Sequence, residues 1–350
     1  MPLRAVTGHR PLIRLLARAV SRDTLPPTLL FAGPEGVGKR TVAMALAQAI
    51  NCETPVQTPV SSKGDDHSEF DACGVCQNCE RIERRLHGEV RLVEPSDKRN
   101  ISVEQVREVV RQASYTPFEG RMRVVIFDQA DRLTPAAQSA LLKILEEPPV
   151  ASVFILVSSR PDALLPTVLS RCPRLRFGRL TATEVAELLV RDHGYGEGDA
   201  SVVAATADGS LGLALRLDSD DLAGARECAS KTLQSSATTT DSKRRLAAIK
   251  ELFKEFVERK SPSATREAFA LMLQAMMSLL RDIGLVNSRA DRKALANSDL
   301  ESGLTKLAAD YDDGSDRVVN AFSAVDRALD AVTVRNANPK IVADWLMLQL

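Results

Sequence analysis

The sequence predicts an α/β fold with a parallel sheet, followed by an all-helical part. Three observations carry this. Short apolar strands alternate with amphipathic helices over residues 1–178. One of those strands runs through a glycine-rich turn straight into a helix. From Thr181 onward only helical periodicity is found. Strand–helix alternation gives a parallel sheet with helices on both faces, because each crossover has to return along the sheet.

The elements follow in order. His9 to Val20 repeats Leu12, Leu15, Leu16 and Ala19 on one helical face, and Pro26-Pro27 breaks the chain after it. Thr28 to Ala32 is an apolar strand. Gly33-Pro34-Glu35-Gly36-Val37-Gly38-Lys39 then turns into an apolar helix, Thr41 to Ile50. Residues 53–71 are polar and read as a flexible insertion. Val90 to Val93 is a strand, and Val103 to Ala113 an amphipathic helix. Arg123 to Phe127 is a buried strand ending in Asp128. Thr134-Pro135 is an N-cap and first-turn pair for a helix through Leu145, which Pro148-Pro149 stops. A strand over Ser152 to Ser159, a helical stretch from Leu164 to Leu169 and a strand from Arg174 to Phe177 complete the α/β part. Thr181 with Glu184 forms a capping-box signal for a helix to Asp192. Small helices are expected over roughly 199–231, and Ser235 to Thr240 reads as a linker or helix junction. Long helices fill 242–350.

The chain has 350 residues, with 46 basic and 46 acidic side chains. Net neutrality excludes a strongly cationic nucleic-acid coat, whose affinity comes from clustered positive charge. No uninterrupted apolar run approaches the ~18 residues that span a bilayer. The first residues lack a basic-then-apolar signal pattern, so a cytoplasmic location is expected.

Gly33-x4-Gly38-Lys39 supplies backbone N–H groups for phosphate oxygens, and Lys39 a charge for the terminal phosphates. Gly36 lies within the same turn. The residue after Lys39 should offer a hydroxyl to magnesium, and it is Arg40. Thr41 has the right chemistry but comes one position late, about 100° around the helix. Asp128 ends a buried strand where a carboxylate can hold magnesium, and the Glu that would polarise water next to it is replaced by Gln129. Both losses fall on hydrolysis and leave binding. The plain alternatives are a glycine turn without ligand and a solvated strand-end aspartate.

Cys73, Cys76 and Cys79 follow one another at two-residue spacing, and Cys52 can supply a fourth thiolate. Such a set reaches one zinc tetrahedrally, in a closed structural site with no open position. His67 in the polar insertion reads as a solvated bystander, and Cys172 and Cys228 lie too far along the chain to join. A disulfide scaffold is not expected.

Taken together, the glycine loop, the Cys-x2-Cys-x2-Cys module, Ala140-Leu141-Leu142-Lys143-Ile144-Leu145-Glu146-Glu147-Pro148-Pro149 and Leu169-Ser170-Arg171-Cys172 resemble the bacterial clamp-loader AAA+ family. The resemblance covers residues 8–178. It implies an AAA+ module over 1–178 with a zinc module at about 52–79, a helical lid over 179–241 and a helical collar over 242–350. Phe253, Phe256, Leu271, Leu273, Met276, Leu279 and Leu280 would supply apolar faces of that collar, and Asn336-Ala337-Asn338-Pro339 is similar to the collar of the delta-prime type. The resemblance also implies roles. Arg171 matches an arginine finger that reaches ATP bound to a neighbouring subunit. Ser159 matches a polar sensor of the γ-phosphate, although a solvated strand-end serine reads equally simply. Motor members carry Thr, Glu and Arg where this chain has Arg40, Gln129 and Gly212; Arg216 lies one turn on. These departures imply a non-motor, delta-prime-type subunit of the DNA polymerase III holoenzyme. Its implied partners are gamma/tau motor subunits, the delta subunit, the sliding clamp and primer-template DNA. By itself it is expected neither to polymerise DNA nor to hydrolyse ATP efficiently. Two alternatives stay open: an active gamma/tau-type ATPase, and a zinc-dependent DNA-binding protein.

Overall fold

A computed structural model of the chain describes residues 1–58, 69–96, 100–113, 115–216, 219–239, 241–256, 262–288, 295, 297, 300–311, 315–333 and 335–350. His67 and Thr240 lie outside the described residues, as do the side chains of Phe253 and Phe256. The chain divides into two compact units, Met1–Leu180 and Thr181–Leu350.

The first unit opens with helix α1 (Arg10–Ser21), strand β1 (Thr28–Ala32) and helix α2 (Lys39–Asn51). Next come β2 (Val56–Thr58), β3 (Glu69–Asp71), α3 (Gln77–Glu83), β4 (Val90–Val93) and α4 (Val103–Ala113). The unit ends with β5 (Arg123–Phe127), α5 (Pro135–Glu146), β6 (Ser152–Ser158), α6 (Pro166–Leu169) and β7 (Arg174–Arg176). Five strands form one sheet in the order β4-β5-β6-β1-β7, every neighbouring pair parallel. The three central strands are buried along their whole length, which explains their continuous Val/Ile/Leu/Phe character. Alternate residues go to opposite faces. Leu29, Phe31, Val124, Ile126 and Ile155 pack with Leu46 of α2, whereas Leu30, Val125, Phe127, Phe154 and Leu156 pack with Val106 of α4 and Leu141 of α5. Thr134 caps α5 by accepting the Ala137 N–H at 3.2 Å.

Because all five strands run the same way, their carboxyl ends share one edge. Register places Ala32 beside Ser158, and Phe127 beside both Val93 and Leu156. Gly33, Glu94, Asp128 and Ser159 therefore leave the sheet on the same side, the side on which open parallel sheets bind ligands.

Two local readings need correction. The polar insertion expected to be flexible contains an antiparallel pair, β2 with β3, in which Val56 faces Asp71. Strand β6 stops at Ser158, so Ser159 lies just beyond it.

The second unit comprises α7 (Ala182–His193), α8 (Glu197–Thr206), α9 (Leu211–Ala214), α10 (Ser219–Thr238), α11 (Ser242–Phe256), α12 (Pro262–Asn287), α13 (Glu301–Asp310), α14 (Ser315–Thr333) and α15 (Pro339–Gln349). Thr181 and Glu184 form the reciprocal capping box at α7. The Ser/Thr stretch expected near 235 remains helical as far as Thr238. Ser236 Oγ and Thr238 Oγ donate to the carbonyls of Leu233 and Gln234, both at 2.8 Å, so these side chains bond back along their own helix. Thr265–Asn287 within α12 is long and apolar enough to cross a membrane by length and composition. Its apolar side chains instead make the bundle core: Phe269, Met272, Leu273, Met276, Leu279, Leu280 and Ile283 are buried with Cys228 and Leu233 of α10 and Val325 of α14.

Candidate nucleotide site, cysteine cluster and Arg171

The glycine loop forms because three positions need what only glycine gives cheaply. Gly36 and Gly38 sit at φ 75° and 96°, in the left-handed region, and Gly38 caps α2. At Gly33 the constraint is contact: a Cβ there would stand 2.2 Å from the Phe177 carbonyl oxygen. His9 Nε2 is paired with the Val37 carbonyl at 2.8 Å and its ring packs edge-on against Phe177. Loop, α1 and the chain after β7 are thereby tied together.

Lys39 is buried, and its ammonium donates to the carbonyls of Gly33, at 2.6 Å, and Pro34. Burial draws its pKa below the usual lysine value, against the opposing pull of Asp131, Glu35 and Asp128. The lysine is thus held at the loop with carboxylates nearby. Thr41 is exposed on α2.

Asp128 is buried at the end of β5, and its neighbour is an arginine. Arg40 Nη1 donates to Asp128 Oδ2 at 3.2 Å and to Glu94 Oε1 at 2.9 Å. The remaining Asp128 oxygen accepts the Gln129 N–H at 3.0 Å, and Gln129 itself is exposed with φ 52°. Beside this group, Asp131 Oδ1 accepts from Ser158 Oγ at 3.0 Å and from the Ser159 N–H at 3.1 Å. The buried hydroxyl at this strand end thus belongs to Ser158, while Ser159 is half-buried and contributes its backbone. Arg160 reaches the other Asp131 oxygen at 3.5 Å. Neither Asp131 nor Arg160 stands out in the sequence, because each gains meaning only from the register of β6 against β5.

The four cysteines come together. Their sulfur atoms all lie within 4.8 Å of one another, with Cys52 to Cys76 at 3.9 Å and Cys73 to Cys79 at 4.0 Å. Four thiolates at ~2.3 Å around one tetrahedral ion stand about 3.8 Å apart, so the set fits a tetrathiolate metal. None is in a disulfide. Backbone amides aim at the sulfurs: Cys73 N–H at Cys52 Sγ (3.2 Å), and Val75 and Cys76 N–H at Cys73 Sγ (3.4 and 3.2 Å). Burial raises the pKa of Cys73, but bonds from Thr54 and those two amides outweigh it and leave the thiol at about 6. Burial holds the thiols of Cys52 and Cys79 above their usual range. Asp71 braces the module by accepting the N–H groups of Leu3 and Arg4, at 3.0 and 2.8 Å. Gln48 of α2 donates to the Cys79 carbonyl at 2.8 Å. The α3 helix, which begins just after Cys76, is too short to show periodicity in the sequence.

Arg171 sits at the opposite edge of the sheet. Its carbonyl accepts Thr28 Oγ1 at 2.8 Å, at the start of β1, whereas the glycine loop begins after the end of that strand. Five residues of strand separate Thr28 from Gly33, about 16 Å. The guanidinium is held locally, by Glu146 Oε1 at 2.5 Å, the Thr167 carbonyl at 2.9 Å and Ser170 Oγ at 3.2 Å.

Comparison with known proteins agrees with this geometry. The family described as DNA polymerase III, delta subunit, matches residues 8–181. The chain is 31% identical over 294 residues to DNA polymerase III subunit tau of Salmonella typhimurium, covering 80% of this chain and 43% of that protein. It is 33% identical over 186 residues to subunit gamma/tau of Mycobacterium tuberculosis, 53% of this chain and 30% of the relative. It is 32% identical over 178 residues to subunit delta' of Bacillus subtilis, 51% and 50% of the two chains. The chain thus spans half or less of the length of these relatives. On the loop, the sheet, the cysteine module and these matches, the chain belongs to the clamp-loader family of DNA polymerase III that includes the tau, gamma/tau and delta' subunits.

Proposed function

We propose that this chain is a delta-prime-type clamp-loader subunit that does not turn over ATP itself and lends Arg171 to a neighbouring motor subunit. One observation carries the reading: the carboxylate that should hold magnesium is already paired with Arg40, while the half-buried Arg171 lies at the other edge of the sheet, out of reach of its own loop. A guanidinium aimed at developing phosphoryl charge is worth ~10³ to 10⁵ in rate in related phosphoryl-transfer systems, so a chain with a disabled loop can still contribute to catalysis in another polypeptide. In this reading gamma/tau-type motors and the delta subunit are the direct partners, in the bacterial cytoplasm. The sliding clamp and primer-template DNA are met through the complex.

The four cysteines would hold a structural zinc that fixes the knob on α2 and supplies no chemistry, since four thiolates leave no open position. Residues 179–241 would act as the lid of the AAA+ module and 242–350 as the collar that assembles with homologous partner domains. Lys39 and the loop amides of Gly33, Gly36 and Gly38 favour retained nucleotide binding. The motor alternative needs a hydroxyl for magnesium and a base for water at the positions of Arg40 and Gln129. The test is turnover by the purified chain alone: release of phosphate from ATP should stay at background. Robust hydrolysis that disappears with Lys39→Ala would reverse the assignment in favour of the motor.

A further inference from the structure

The magnesium ion that accompanies nucleotides in phosphate-loop proteins does not fit this chain. Such an ion needs hard oxygen ligands at near-octahedral geometry, normally a loop hydroxyl and a strand-end carboxylate. The hydroxyl position is Arg40. The carboxylate, Asp128, has one oxygen on Arg40 Nη1 at 3.2 Å and the other on the Gln129 N–H at 3.0 Å. The pairing belongs to a wider balanced set: Arg40 also binds Glu94 at 2.9 Å, and Arg85 binds the second Glu94 oxygen at 3.2 Å. Within this set two carboxylates are matched by two guanidinium groups, so Asp128 is already engaged by a cation. The Asp128 side chain is 11% exposed and that of Arg40 46%, so one face of the guanidinium meets solvent beside the loop.

We propose that the glycine loop takes a nucleoside di- or triphosphate free of divalent metal, with the Arg40 guanidinium serving as the resident positive charge beside Lys39. The inference rests on the reading that the loop binds nucleotide and is independent of the role given to Arg171. A metal-free phosphate chain carries more negative charge than its magnesium complex, and the loop meets it with two fixed cations. A guanidinium suits this role because it stays charged and its planar fork matches pairs of phosphate oxygens. The magnesium complex, by contrast, brings a second cation against Arg40.

The experiment is equilibrium binding of fluorescent ATP and ADP analogues to the full chain, in excess magnesium and in EDTA. Because the chelator also threatens the cysteine-bound metal, the magnesium-free arm is repeated in metal-depleted buffer without EDTA. The wild type should bind at least as tightly without magnesium as with it. Arg40→Thr, which supplies the hydroxyl and frees Asp128, should reverse the order and bind at least tenfold more tightly in magnesium. Arg40→Ala should weaken metal-free binding at least fivefold, and thermal melts of both variants check that they are folded. Tenfold tightening of the wild type by magnesium would overturn the inference and leave nucleotide binding standing. An Arg40→Thr protein with the wild-type order would overturn it too. Absence of saturable binding up to 1 mM in every condition would remove nucleotide binding as well, whereas the Arg171 reading is judged separately, by hydrolysis in the assembled complex.

Discussion

Gly33 and Arg171 mark the two extremes of tolerance in the N-terminal unit. A Cβ on Gly33 would lie 2.2 Å from backbone that hydrogen-bonds to β1, since the Phe177 N–H donates to the Ala32 carbonyl at 2.7 Å. Neither partner can move without breaking the sheet edge, so Gly33→Ala should cost about 2–3 kcal/mol, as overpacking does, measured as a lower urea midpoint for the N-terminal unit. Arg171 is the reverse case. Its pair with Glu146 is partly exposed, 34% and 47% for the two side chains, and such surface pairs contribute about 0.2–1 kcal/mol. Losing it should hardly shift the melting temperature, and leaving Glu146 for a neighbour's phosphate costs equally little. Much of the candidate site was legible at this scale: the loop glycines, Lys39, Asp128 and the cysteines announce themselves by spacing. The Arg40–Asp128 pair did not, because the two residues stand 88 positions apart and meet only when the ends of β4 and β5 line up beside the start of α2. Asp131 and Ser158 were hidden for the same reason, and Ser159 lies just past the end of β6 with its backbone N–H on Asp131.

The cysteine module shows what short elements conceal. β2, β3 and α3 have three, three and seven residues, too few for a period to register, and their order comes from bonds to Asp71, Gln48 and Arg4 together with the clustered thiols. Metal should therefore hold the module rather than the fold. Elemental analysis should find one zinc per chain, and removing it with a chelator should expose residues 52–79 to protease while the sheet survives. Cys76→Ser should do the same; protein purified without chelator and free of zinc would contradict this. Longer elements were readable because their signals are redundant. The α7 start is one example: Thr181 accepts the Glu184 N–H at 3.1 Å and Glu184 returns to the Thr181 N–H at 2.8 Å. Thr181→Ala should cost about 1 kcal/mol, seen as a lower denaturation midpoint for the helical unit.

At the scale of the whole molecule, the change from alternating strands and helices to helices alone marks the division at Leu180 and Thr181. The grouping inside the helical unit was less legible, because helix faces that meet in one bundle look alike in sequence. Cys228 and Leu233 of α10 share a core with Met272 and Leu273 of α12, and Tyr311 bonds Ser236 at 2.7 Å. The unit also keeps large apolar side chains at its surface, Val319, Ile341 and Leu348 among them, 60%, 69% and 54% exposed, which suits a surface that assembles with partner subunits. Val319→Asp with Ile341→Asp should leave the fold intact and abolish stoichiometric co-elution with motor subunits; unchanged co-elution would remove these side chains from the collar role. Above all, the chain is proposed to work on a reaction in another polypeptide. DNA-stimulated ATP hydrolysis by the clamp loader, reconstituted with wild-type or Arg171→Ala chain, tests this without intermediary. Normal assembly and zinc content are expected with a hydrolysis rate reduced at least tenfold, and little recovery with Arg171→Lys, whose ammonium lacks the planar fork. An assembled complex that hydrolyses ATP at the wild-type rate with Arg171→Ala would contradict the role given to this arginine.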